Sequence, residues 1–255
     1  MNKIKRILPI LIVILFVYIY YQFITIDKND ILMSPSVTNW FGTDSEGNDI
    51  LIVIIESLFY ELLTVIICLP IIYFLSIFIG HLLSKSKKQI INDLIQNILH
   101  FWITLPIILI ALFLLIIIGS SQLNAISVII FIFIPSQSLY IYNQIFDAKK
   151  EPFVLAKLSY GFSQNHIFWK HIFPFIRSSS INYSLSRIPE IIMLNISLNF
   201  MGLATQPPHH SFGRVLFDGL SFMFSAWWIW LFPVLFISLL YLLLINKIKY
   251  WTKDV

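Results

Sequence analysis

The chain is short of most things a soluble domain needs. Only 12% of its 255 residues are charged, against about 25% in ordinary soluble domains. Its single cysteine, Cys68, lies in an apolar run. That excludes an intrachain disulfide and any metal site built on cysteines. No G-x-x-x-x-G-K-S/T phosphate cradle occurs, so the chain carries no P-loop for ATP. No nucleophile and base, and no ligand set, converge at a spacing that suggests chemistry, and the chain reads as a non-enzyme. No convincing internal repeat is present, which argues against a stand-alone secondary transporter built from repeated halves. The net charge of +4 does not point to nucleic acid, because the basic residues sit in short loops between apolar runs.

What is abundant is apolar sequence: 58% hydrophobic residues and a mean hydropathy of +0.84. Several runs exceed the roughly 20 apolar residues that cross a bilayer. The pattern predicts an all-α polytopic membrane protein with about six transmembrane helices. Residues 1–26 form a first span behind Lys3, Lys5 and Arg6; the run is too long for a signal-peptide core and lacks a small-x-small cleavage site. Residues 27–61 read as an extracytoplasmic segment and interfacial lead-in, with Glu56 and Glu61 at the interface or facing the bundle because carboxylates are costly at the bilayer centre. Residues 62–245 form a five-span core: about 62–83, 94–118 with Pro106 inside, 125–145 interrupted by Pro135-Ser136-Gln137-Ser138, 180–203, and 226–245 opened by Trp227, Trp228 and Trp230. A loop, 146–177, lies between spans 4 and 5, and 246–255 is a tail. With both termini inside, fourteen of the seventeen basic residues fall on the cytoplasmic side, the bias that sets membrane orientation.

The most informative stretch is 151–174, placed by that bias in the cytoplasm. It parses as two short helices around a glycine. Pro152 suits a first helical position, where its missing N–H costs nothing. Gly161 can take the left-handed conformation that ends a helix. Ser163 can cap the second helix, and Pro174 limits how far that helix runs. By shape this is a docking knob between spans; an amphipathic loop lying on lipid headgroups is the plainer alternative.

Three motifs, in order, resemble the membrane permeases of ABC importers in the dipeptide/oligopeptide/nickel branch. Gly42-Thr43-Asp44-Ser45-Glu46-Gly47-Asn48-Asp49 is similar to that branch's early Gly-Thr-Asp-x-x-Gly-Arg-Asp. Gly161 and Pro174 keep the thirteen-residue spacing of its cytoplasmic EAA-type loop, with Ala156, Ile167 and His171-Ile172-Phe173-Pro174 in place. Leu198-Asn199-Phe200-Met201-Gly202-Leu203-Ala204, followed by Pro207-Pro208 and Phe212-Gly213, is similar to its late motif. The chain departs from the pattern at Leu155, where the loop motif has glutamate, at Lys157, at Asn48, and at Asn195, often glutamate in the branch.

The resemblance implies half of a transmembrane pair, a permease for peptides or a related solute such as a nickel or metal chelate. The expected partners are ABC ATPase subunits that bind the ATP, a sister permease, an extracytoplasmic substrate-binding protein and the lipid bilayer of a bacterial cytoplasmic membrane; no cofactor is implied. The ATPase-coupling residues would be Phe153, Ala156, Lys157, Tyr160, Gly161, Ile167, His171 and Pro174, with Phe162, Phe168 and Trp169 as further aromatic anchors. Gly42, Thr43, Asp44, Gly47 and Asp49 form the extracytoplasmic motif. Arg187, Glu190 and Asn195 are pathway candidates. Arg187 and Glu190, three apart, can pair on one helix face, either as a structural ion pair or as a contact for a zwitterionic peptide. His81 and His100 read as polar anchors at span ends. His209 and His210 are weak metal candidates, because adjacent side chains do not converge on one ion. The loss of glutamate at Leu155 keeps a second reading open: a degenerate or non-transporting membrane scaffold or partner subunit.

Overall fold

The computed structural model describes residues 31–85, 89–206 and 209–253. The expected first span, residues 1–26, and Pro207-Pro208 lie outside them. The described residues are almost wholly helical; their only β-pairing is an isolated bridge between Thr43 and Asp49. In chain order the helices are α1 (Ile50–Leu83), α2 (Gln89–Thr104), α3 (Ile107–Ile118), α4 (Gln122–Ala148), α5 (Pro152–Ser159), α6 (Gln164–Ile167), a π-helical turn (Phe168–Ile172), α7 (Phe173–Ser186), α8 (Ile188–Phe200), α9 (Phe212–Leu220) and α10 (Trp228–Lys253).

Three of these are long and apolar enough to cross a membrane: Ile50–Leu83, Gln122–Ala148 and Trp228–Ile248. A fourth crossing is present if the bent pair α2 and α3 counts as one. That pair corrects the expectation of a continuous third span over 94–118. Its two helices meet at 87°, at Leu105-Pro106, where proline removes a backbone donor and its ring clashes with the preceding turn. The opposite correction applies to α4, which runs through Pro135 without a break. Carbonyls around the proline are taken up by side chains: Trp102 Nε1 donates to Ile132 O, Ser136 Oγ to Phe133 O, and Ser76 Oγ to Ile134 O. Such substitutes are what make proline tolerable in a span. The expected fifth span is divided at Arg187 into α7 and α8.

The contacts sort the chain into two compact units. One gathers the described part of Met1–Val65 with Ile118–Ala125 and Ile192–Leu243; the other gathers Ile66–Ile117, Ile126–Ile191 and the described part of Leu244–Val255. In the first, the segment before α1 is tied down by Trp228 Nε1, which donates to Thr43 O at 3.1 Å, and by the stacked rings of Phe41 and Phe232, 4.4 Å apart. Gly213 of α9 lies so close to the backbone of α8 that a Cβ would overlap Ile196 O and Phe200 N. In the second, Ile77, Ile141, Ile145, Ala148, Val154, Ile167, Phe168, Ile172 and Ile176 form one buried cluster. It joins α1, α4, α5, α6, the π turn and α7, and so fixes the 151–174 segment against long helices.

Candidate functional site

The coupling segment is built as its sequence dictates, up to its end. Glu151 is extended, and Pro152 opens α5 in the first turn. The helix closes at Tyr160. Gly161 has φ +79°, and its N–H bonds to Leu158 O while that of Phe162 reaches Lys157 O, satisfying carbonyls the helix end would otherwise leave bare. Ser163 Oγ accepts from His166 N and caps α6. Pro174 does not stop this helix. The chain stays helical from Gln164 to Ser186, because the π turn at 168–172 shifts the hydrogen-bond register and puts Pro174 in the first turn of α7, where its missing donor is harmless. π turns of this kind recur at functional sites.

The segment has two faces. Val154, Ile167, Phe168 and Ile172 point inward and are buried. Phe153, Leu155, Leu158, Tyr160, Phe162 and Trp169 point outward; Tyr160 is 78% exposed. Ala156, Gly161, Lys170 and Pro174 are also exposed, and Lys157 and His171 partly so. Lys157 Nζ sits 5.7 Å from the Phe162 ring. Phe168 is therefore corrected from an outward anchor to a core residue, and Ile167 belongs beside it. Both fall on the face that the apolar cluster pulls inward.

Two contacts of this segment are not legible in the sequence. The His81 ring, near the end of α1, stacks on Phe168 with centroids 3.7 Å apart, and its Nε2 lies 3.2 Å from Asn165 Oδ1. Lys149, just ahead of α5, donates through Nζ to Ser84 O. Burial holds the Lys149 ammonium below the ordinary lysine range. In the sequence His81 is one more polar residue at a span end, and no spacing marks it out. His100 is exposed on α2.

The first unit holds a buried polar chain. Asn195 Nδ2 donates to Glu61 Oε2 at 2.9 Å, and Asn199 Nδ2 to Asn195 O at 3.0 Å. Thr205 N donates to Asn199 Oδ1, Thr205 Oγ1 to Gln122 Oε1, and Gln122 Nε2 to Thr64 Oγ1. Glu61 and Asn195 are each 1% exposed. Glu56, 6% exposed, faces both histidines: His209 Nδ1 at 3.6 Å and His210 Nε2 at 4.0 Å, with Tyr60 OH also on His209 Nδ1 at 2.8 Å. Both glutamates face the bundle, one of the two places the sequence leaves open for them, and each has polar partners that lower the cost of burying it. One ring nitrogen of each histidine, Nδ1 of His209 and Nε2 of His210, faces these groups, and no group of three metal-ligating side chains converges among the described residues.

Arg187 and Glu190 do pair, Nη1 to Oε2 at 2.6 Å. They sit at the α7–α8 break, with Nη2 donating to Tyr183 OH. Asn195 is not part of that pair. In the motif at 42–49, Asp44 Oδ1 accepts from the backbone N–H groups of Glu46 and Asn48, and Asn48 Nδ2 donates to Asp44 Oδ2. Gly42 and Gly47 take positive φ. The Asp49 carboxyl, which accepts from Leu51 N, is pushed above its ordinary range by burial. This motif is a folded turn that starts α1, with Asn48 serving inside it.

A helical bundle with paired short helices between its spans defines the fold of an ABC importer permease. The inward-facing MetNI methionine ABC transporter matches it with a TM-score of 0.58 at 12% identity, over 79% of this chain and 97% of that one. Residues 72–250 match the family described as binding-protein-dependent transport system inner membrane component, and the chain belongs to that family. Similar proteins include the dipeptide transport system permease protein DppC of Alkalihalophilus pseudofirmus, 28% identical over 79% of this chain and 66% of that protein. DppC of Bacillus subtilis is 26% identical over 81% and 65%. The glutathione transport system permease protein GsiD of Shigella dysenteriae is 27% identical over 84% and 70%. The chain thus spans slightly less than two thirds of the length of the first of these. Family and apolar helices together make it a multi-pass membrane protein.

Proposed function

We propose that the chain is the permease subunit of a binding-protein-dependent ABC importer, forming half of a translocation pathway for peptides. A separate ATPase docks on the 151–174 segment, a sister permease supplies the other half, and a substrate-binding protein delivers cargo from outside. The observation that carries this reading is the outward face of the segment. Six large apolar side chains, four of them aromatic, stand exposed on the short helices and the turns beside them, next to basic loops that the charge bias puts in the cytoplasm. Aromatic anchors of this kind dominate protein interfaces, and a lipid-lying helix would need them on one continuous face. The names of the similar proteins, dipeptide and glutathione permeases, favour a peptide cargo over a metal chelate. The test is purification of the tagged chain from its native membrane. An ATPase should come with it, and Tyr160→Ala with Trp169→Ala should release that ATPase while leaving the chain folded. Recovery of the chain with lipid alone would overturn the proposal.

A further inference from the structure

The coupling segment reaches α7 through its own backbone, because the helix from Gln164 to Ser186 is unbroken across the π turn. A push on the segment therefore moves α7 directly. α1 has no such route; three helices separate its end from Pro152 in the chain. Its last turns nevertheless grip the segment. The His81 ring lies nearly flat on Phe168, with 17° between the planes, and its Nε2 meets Asn165 Oδ1 at 3.2 Å. Phe168 and Asn165 are three residues apart, one helical turn, so one imidazole spans a full turn of the segment. Among the described residues His81 Nδ1 has no hydrogen-bond partner, and Nε2, in the tautomer that carries its proton there, donates to Asn165 Oδ1. Beside it, Lys149 Nζ holds the Ser84 carbonyl at the negative end of α1, where a cation is favoured. One residue back, Gly80 brings α1 against α4: a Cβ there would meet Ile141 Cγ2 at 2.9 Å and Ser138 O at 3.2 Å. α4 has its own short route to the segment, through residues 149–151, so α1 is the helix that depends on side-chain contacts.

We propose that His81 is the positioning residue that makes the end of α1 follow the docking segment, by clasping Phe168 and Asn165 together. This rests on the reading of 151–174 as the ATPase dock. Without the clasp the segment can still bind the ATPase and move α7, but α1 lags and the two halves of the stroke separate.

The test uses the whole complex, purified through a tag on this chain, with ATP hydrolysis measured with and without the substrate-binding protein. In His81→Ala the ATPase should co-purify as in the parent. The stimulation of hydrolysis by the binding protein should fall by about fivefold or more, the lower range of coupling between sites. Stimulation is a ratio, so a mere loss of folded complex does not move it. Asn165→Ala, at an exposed position, should give a smaller fall that does not add to that of His81→Ala, and His81→Gln should restore part of the loss through the Asn165 bond. Parental stimulation in both alanine variants would overturn the clasp and leave the dock standing. A parent chain that brings down no ATPase would overturn the dock itself.

Discussion

Replacing Asn195 by leucine removes a single buried side-chain hydrogen bond and keeps the branched shape and heavy-atom count of the side chain. Asn195 Nδ2 is 2.9 Å from Glu61 Oε2, both residues are 1% exposed, and no basic side chain pairs with Glu61 among the described residues. The leucine leaves a carboxyl in an apolar interior without its donor. If the carboxyl is ionised, stranding it costs about 3–5 kcal/mol; if neutral, about 1–3 kcal/mol. The sign is the same in both cases. A chain of this size loses roughly 2–4 °C of thermal midpoint per kcal/mol, so a fall on the order of 10 °C is expected in detergent, followed by fluorescence-detected size exclusion. The decisive comparison is the double variant Glu61→Leu with Asn195→Leu. Removing both polar partners of a buried pair is often neutral or stabilising, so the double variant should recover most of the loss. A double variant as damaged as the single one would refute the reasoning, because the cost would then lie in packing and not in the stranded carboxyl.

Gly161 has φ +79°, and a Cβ added there would meet nothing within 4 Å, so only its backbone conformation resists substitution, by roughly 1–2 kcal/mol for most residues. Gly161→Asn, which tolerates that conformation, should keep the ATPase bound in a pull-down, and Gly161→Val should weaken it; equal binding by both would show that the turn is not needed. Gly213 is the reverse case: its Cβ would overlap the α8 backbone, so Gly213→Ala should cut the yield of folded protein sharply, while a normal yield would mean that α8 and α9 are not in close contact. Asp218, outside the spans on α9, is raised above its ordinary range by burial first, with Glu46 and Asp44 adding to the shift and Arg214 opposing it. The folded state thus binds its proton more tightly than the unfolded one, and stability falls as pH rises through that raised range. Asp218→Asn should therefore raise the thermal midpoint at neutral pH and change it little near pH 3; the same gain at both would exclude the titration. The docking segment carries three formally charged side chains, Glu151, Lys157 and Lys170, among its large apolar groups, so ATPase retention should survive about 1 M salt, where the screening length falls to about 3 Å; release by salt would mean that charge holds the partner.

The helical class, the membrane character and the details of the coupling segment are legible in the sequence because each rests on local chemistry. Pro152, Gly161 and Ser163 act within one turn of themselves, and the structure shows all three where such rules put them. Pro174 and Pro135 escape those rules for one reason. The effect of a proline in a helix depends on whether a π turn or a neighbouring side chain absorbs it, and the partners can be distant in sequence: Ser76 and Trp102 for α4. Pro106 has the same local chemistry yet ends its helix. Cost alone leaves Glu56 and Glu61 either at the interface or facing the bundle. Their partners, His210 and Asn195, lie 154 and 134 residues away, beyond any spacing rule. The Arg187–Glu190 contact, three residues apart, is within reach of such a rule and forms.

Under the proposed dock, the two faces of the 151–174 segment give a chain without the motif glutamate another way to hold a partner. The inward residues Val154, Ile167, Phe168 and Ile172 belong to the same buried cluster as Ile77, Ile141 and Ile145, so the segment is fixed before any partner arrives. A rigid, preformed surface loses little conformational entropy on binding. Leu155, in place of a carboxylate, is 51% exposed and adds apolar area to a face already rich in it. Full burial of such a side chain is favourable by about 1.5–3 kcal/mol, whereas an exposed ion pair at the same place would give about 0–1 kcal/mol. The proposed dock therefore gains more at this place from hydrophobic burial than from an ion pair, and it calls for an apolar surface opposite Leu155 on the ATPase.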